Sequence, residues 1–226
     1  MHILLIAATE PELLPIADYL QERGYKIWNH RIQLSVTGVG LTSTAYFLTR
    51  LICETKPDLI IQAGIAGSFE PFDKPKVIAV TEDRFADMGV LENNRFIDVF
   101  SLQLVEGNKN PFIKGSLVNP YQQLLMLASC ESGRAISVNE VSTNKERIAW
   151  YQQNYSPVVE SMEGAAFHFV CLLEKIPFLQ LRAVSNYIGE RNKENWKIGE
   201  AIENLNHQLI LLLEKLGDHN EIDFRI

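Results

Sequence analysis

The chain has 226 residues, 46% of them hydrophobic, which is enough for one substantial core; no Pro/Gly/Ser-rich linker divides it, so a single domain spanning 1–226 is expected. Lys and Arg number 21 against 28 Asp and Glu, a formal charge of -7, and the basic residues are interspersed with acidic ones rather than gathered in a stripe, which argues against a nucleic-acid partner. The opening MHILLIAATEPE has no basic start and meets Glu10 after a short apolar run, and no stretch reaches membrane-spanning length, so a cytoplasmic protein without a membrane partner is expected.

In chain order, the apolar run at 2–8 predicts a buried strand. A helix follows whose positions Leu13, Leu14, Ile16, Ala17 and Leu20 fit a 3.6 period and which stops at Gly24. Strands at 25–28 and 32–38 precede a helix at 42–54, and PDLIIQAG (57–64) and KVIAVTED (76–83) read as buried strands. A poorly patterned, loop-rich middle covers 86–117. Beyond it come a helix at 120–130, a strand at 134–139, a helix at 143–152, a short strand at 158–160, a helix at 162–174, a strand at 178–184 and a closing helix at 196–216. This alternation predicts an α/β fold: three layers, α/β/α, around a mixed, mostly parallel twisted sheet. Ligands of such sheets sit at the carboxyl ends of strands.

Polar residues gather at four of those ends. AATEPE (7–12) sets Glu10 and Glu12 at a helix start, where acids also stabilise the macrodipole. Gly38-Val39-Gly40 and Gly64-Ile65-Ala66-Gly67 follow apolar strands, but neither makes GxGxxG nor carries a P-loop lysine, so dinucleotide and triphosphate sites are excluded. VVESMEGAAF (158–167) delivers Glu160, Met162 and Glu163 to the mouth of an apolar helix. LRAVSN (181–186) ends a strand on Asn186. The three cysteines, Cys53, Cys130 and Cys171, lie far apart in apolar surroundings and read as small core hydrophobes. The histidines at 2, 30, 168, 207 and 219 show no metal-ligand spacing, so neither metal nor organic cofactor is expected.

Taken together, AATEPE, TGVG, PDLIIQAGIAG, VVESMEGAA and LRAVSN resemble the nucleoside phosphorylase/hydrolase superfamily, in particular the bacterial nucleosidases that cleave 5′-methylthioadenosine and S-adenosylhomocysteine. The resemblance implies Glu12 as the base that activates water, Glu163 as the ligand of the ribose hydroxyls and Asn186 as the group assisting purine N7. It also implies Met162 against the sugar, Arg182 near the water, Val141 over the base, and a backbone approach at Gly64 and Ile65. A homo-oligomer built on a dimer, with a neighbour's loop near the site, belongs to the same implication.

Asn186 departs from the aspartate of adenine-specific members. An amide offers two N–H donors and one acceptor, which suits O6, N7 and N1–H of a 6-oxopurine. The continuation SNYIGERNKENW, with Arg191 and Trp196 bordering the same pocket, resembles the futalosine hydrolase branch of the superfamily, which implies hypoxanthine release in menaquinone biosynthesis. Phosphorolysis is disfavoured because Glu12 would face the phosphate, whereas a carboxylate suits deprotonation of water. A methylthioadenosine or inosine nucleosidase differs only in the pocket for the 5′ substituent, expected from 86–117. A non-catalytic nucleoside-binding protein would need neither glutamate.

Overall fold

The computed structural model describes residues 1–93 and 95–218; His219 lies outside them. Its first strand, β1 (His2–Ala7), is apolar from Ile3 to Ala7 because both of its faces are covered, and those five side chains are fully buried. On either side β1 pairs in parallel with β3 (His30–Val36) and β4 (Leu59–Ser68). Beyond β3 lies the two-residue β2 (Lys26–Ile27), antiparallel.

The other half of the sheet is built from β5 (Val77–Asp83), β9 (Glu131–Ser137), β10 (Val159–Ser161) and β11 (Phe178–Tyr187). Its order is β10–β9–β5–β11–β4–β1–β3–β2, with β8 (Leu117–Val118) on β5. Strand β10 also pairs with β4, so one end of the sheet closes into a ring of β4, β10, β9, β5 and β11. The mixed sheet therefore forms as expected, with a closure that periodicity does not foretell.

Helices α1 (Glu10–Gln21), α3 (Gln122–Leu127) and α6 (Ile198–Asp218) pack together on one face. On the other, α2 (Leu41–Thr55) packs on α5 (Gly164–Glu174). Helix α4 (Lys145–Tyr155) joins β9 to β10. Leu13, Ile16 and Leu20 of α1 are buried as the period requires, while Leu14 points to solvent. No helix among the described residues is long and apolar enough to cross a membrane.

Four sequence expectations are corrected. Strand β4 continues to Ser68, so Gly64–Gly67 lies inside the strand rather than after it, the glycines admitting neighbours where a side chain would stand. Strand β11 continues to Tyr187 through a bulge between Val184 and Asn186, so Asn186 is a strand residue. The loop-rich middle contains an antiparallel hairpin, β6 (Gly89–Glu92) and β7 (Arg95–Asp98). Cys53 is exposed on α2, and only Cys171 is fully buried.

The ring and α5 meet at Gly164. A Cβ there would stand 2.1 Å from Asp83 Oδ2 and 2.2 Å from Gln180 Nε2, both on fully buried side chains. Gly164→Ala is expected to lower the unfolding free energy by about 1–3 kcal/mol, measured by urea denaturation; an unchanged midpoint would show that the helix shifts without resistance.

Candidate active site

The site begins with a charge in the sheet. Arg182 on β11 is 1% exposed, and period 2 along FLQLRAV places it on the same face as Gln180. A buried guanidinium needs partners. Its Nη1 lies 3.2 Å from Glu163 Oε2 in a buried ion pair, and its Nη2 donates to Gln62 Oε1 at 2.9 Å. Gly64, its partner across β4, makes the space, since a Cβ there would stand 2.5 Å from Nη1.

Glu163 caps α5 and is held from two sides: Oε2 by Arg182 and Oε1 by the Gly40 amide at 3.1 Å. Gly40 has φ 95°, a left-handed value that favours glycine, and it turns the chain from β3 into α2. Glu12, in the first turn of α1, is also buried. Its Oε1 accepts from the Ile65 amide at 3.0 Å, and its Oε2 accepts from the amide and hydroxyl of Thr9, each at 2.9 Å. A Cβ on Gly64 would be 3.1 Å from Glu12 Oε1, so Glu12 and Arg182 both border one empty side-chain position.

Behind this group lies a buried polar layer that the sequence reading did not assign. Asp83 accepts from the Arg84 amide at 2.7 Å, the Ser137 hydroxyl at 3.0 Å and Gln180 Nε2 at 3.2 Å. Ser137 in turn accepts from the Ala165 amide at 2.8 Å, tying the start of α5 to the ring. Burial raises the Asp83 pKa to about 6, against the opposing pull of those donors and of Arg182. His168 is pushed down to about 4, chiefly by burial, while its Nδ1 meets the Leu117 carbonyl at 2.9 Å. The signal for this layer was a polar residue recurring every second position in an apolar strand, Gln180 and Arg182 in β11 and Gln62 in β4.

The remaining candidates stand apart from the ion pair. Asn186 Oδ1 accepts from the Ser185 hydroxyl at 2.8 Å, and Nδ2 donates to the Tyr187 carbonyl at 2.9 Å. Met162 is half-buried between β10 and α5. Val141 is partly exposed on the loop after β9, which is pinned by Ser142: its amide donates to Glu160 Oε1 at 3.0 Å and its hydroxyl to Oε2. Burial raises the Glu160 pKa and the two Ser142 donors oppose it. Arg191 and Trp196 stay with their own loop, the guanidinium 5.7 Å from the indole centroid and the indole donating to the Glu190 carbonyl. A cleft of about 590 Å³ opens beside Val141, walled by Leu91 and Phe96 of the hairpin and by Arg147, Trp150 and Tyr151 of α4; Glu12, Glu163 and Arg182 do not line it.

The family model described as Phosphorylase superfamily matches residues 3–215. A futalosine hydrolase from Streptomyces coelicolor is 28% identical over 224 residues, covering 89% of this chain and 91% of the relative. A 5′-methylthioadenosine/S-adenosylhomocysteine nucleosidase from Haemophilus ducreyi is 29% identical over 198 residues, covering 82% and 80%. Among solved structures, the native futalosine hydrolase of Helicobacter pylori superposes with a TM-score of 0.77 at 16% identity, over 95% of this chain and 98% of the other, a likeness of fold.

Asp83 gives the site a pH signature. Its folded pKa of about 6 lies above the ordinary 3.8, so the folded state holds the proton more tightly. Its contribution to stability is full below pH 4 and is lost as pH rises through 6, a change of roughly 3 kcal/mol at 1.36 kcal/mol per pKa unit. Asp83→Asn retains an oxygen for Ser137 and the Arg84 amide without the charge. Relative to the wild type it should gain up to about that amount between pH 4 and pH 7 in urea melts; a constant difference across the range would show that Asp83 does not titrate there.

Proposed function

The chain belongs to the phosphorylase superfamily, and within it we propose that it hydrolyses the N-glycosidic bond of futalosine, releasing hypoxanthine and dehypoxanthine futalosine. The position of Glu12 carries the hydrolytic part of this reading. Its carboxylate is fixed by the Ile65 amide and Thr9 beside the empty side-chain position of Gly64, across from Arg182. A carboxylate there repels phosphate and accepts a proton from water. The resemblance places a serine of methylthioadenosine nucleosidases where Ile65 falls. Ile65 holds Glu12 through its backbone amide, an interaction that does not depend on the side chain.

In the proposed reaction, the C1′–N9 bond stretches with its electron pair passing to the purine, and C1′ gains oxocarbenium character. Water adds to C1′ and gives its proton to Glu12, which passes it through solvent to the departed purine anion, so that neutral hypoxanthine leaves and the carboxylate is restored. Glu163, preset by Gly40 and Arg182, accepts from the ribose 2′- and 3′-hydroxyls, with Met162 against the sugar. Asn186 donates toward N7 and O6, where charge grows only as the bond breaks. Val141 covers the base, and the cleft beside it, with the Arg191–Trp196 loop, borders the bound nucleoside. The substrate assignment leans on Asn186, on the SNYIGERNKENW segment and on the futalosine hydrolase relative; the methylthioadenosine nucleosidase relative makes a 6-aminopurine the second reading. A cytoplasmic homo-oligomer built on dimers completes the proposal.

Purified protein incubated separately with futalosine, inosine and 5′-methylthioadenosine, with free base measured by chromatography, is expected to release hypoxanthine from futalosine fastest. Predominant adenine release would overturn the substrate. Glu12→Gln should keep KM within a few-fold and lower kcat by roughly a hundredfold or more; near wild-type turnover in the folded variant would reduce Glu12 to a helix cap.

A further inference from the structure

The N-cap residue of a helix ordinarily turns its own side-chain oxygen back onto the first free amides. Glu163 holds that place in α5 and makes no such bond. Its carboxylate takes the Gly40 amide and Arg182 Nη1 instead, which leaves about two of its four lone-pair positions for the ribose hydroxyls. The helix amides are met by two buried serines on neighbouring strands. Gly164 N–H donates to Ser161 Oγ of β10 at 3.3 Å, and Ala165 N–H to Ser137 Oγ of β9 at 2.8 Å. Ser137 and Ser161 are cross-strand partners, so their side chains stand on one face of the sheet, against the helix start.

A hydroxyl carries one hydrogen, and the direction of that hydrogen decides whether the oxygen can cap. Ser137 gives its hydrogen to Asp83 Oδ1 at 3.0 Å, so in the 3.3 Å contact between the two serines Ser161 is the donor. Both hydrogens therefore run away from α5 toward Asp83, a fully buried acceptor, and each oxygen keeps a lone pair for its helix amide.

Resting on the assignment of Glu163 to the ribose hydroxyls, we propose that Ser137 and Ser161 are positioning residues for the reaction: by capping α5 in place of its N-cap residue, they release the Glu163 carboxylate for the sugar. Without those oxygens, two N–H groups at the positive end of the helix lie beside Glu163 with no acceptor. A buried N–H left unpaired is costly, and drawing the Glu163 carboxylate back onto its own helix relieves that cost at the expense of the ribose.

The test compares kcat/KM for futalosine and 2′-deoxyfutalosine in the wild type, Glu163→Gln, Ser137→Ala and Ser161→Ala, with a urea melt of each protein. The wild type is expected to favour the ribosyl substrate by roughly tenfold or more, and Glu163→Gln to lose most of that preference. Each serine variant should narrow the preference by roughly threefold or more, chiefly through a slower ribosyl reaction. Ser161→Thr keeps the oxygen and should hold the wild-type ratio. Ser161→Ala carries the test where Ser137→Ala, at a fully buried position, does not fold. Serine variants that lose stability, or lose rate on both substrates alike, while keeping the wild-type ratio would overturn the positioning role and leave Glu163 on the ribose. A wild type that cleaves neither substrate or shows no ribosyl preference, or a Glu163→Gln variant that retains it, would overturn both.

Discussion

A guanidinium sealed inside a sheet is the constraint from which the rest of the site follows. Arg182 is nearly inaccessible, and an uncompensated charge at such depth costs several kcal/mol. That demand explains Gly64 opposite it, since any larger residue would occupy the volume of Nη1. It explains Gln62 two residues earlier on the same strand and Glu163 at the mouth of α5. The cation also reaches the layer behind: it lowers the Asp83 pKa against burial and adds to the depression at His168. Burial sets the direction of both shifts; the cation moderates the one and deepens the other.

Ring closure is what lets that charge matter to chemistry. Because β10 bonds both β9 and β4, the short strand ends beside the mouth of α5, and Glu163 arrives there three residues after Glu160. The Ala165 amide is fastened to Ser137, and Ser137 to Asp83, so the helix start that presents Glu163 is locked to the ring interior. Glu12 comes from a different origin, the β1–α1 turn, and meets the same place only because β4 lies beside β1. Two carboxylates distant in sequence are thus fixed on either side of one strand.

The layered fold was legible because its strands are buried on both faces and read as unbroken apolar runs between helical periods. What failed has specific causes. The expected strand stopped at Gly64, yet β4 runs on through Gly67, since glycine in a strand marks close approach as readily as an end. Asn186 looked like a residue past a strand end, because a bulge cannot be distinguished from an end by pattern alone. The hairpin from Gly89 to Asp98 was hidden by its exposure: Leu91 and Phe96 pair across it, yet only Phe96 is buried, so it shows little apolar alternation. Glu12 reads as a first-turn acid, and it is one, bonded to the Thr9 amide. Its second role lies in a backbone amide 53 residues away, a contact no local pattern carries.

The equal similarity to a futalosine hydrolase and to a methylthioadenosine/S-adenosylhomocysteine nucleosidase has a structural rationale in how the proposed work is divided. Sugar and water fall to Glu12, Glu163 and Arg182, grouped around Gly64. The base falls to Asn186, beside Gly67 three residues further along β4, and to Val141 on the loop after β9. The first group is interlocked by charge and packing, so a change in any member disturbs the others. The second hangs on the strand margin and an exposed loop, where a carboxylate can replace an amide without unpairing a buried ion. Exchange of the purine read can therefore proceed while the proposed bond-breaking apparatus stays fixed.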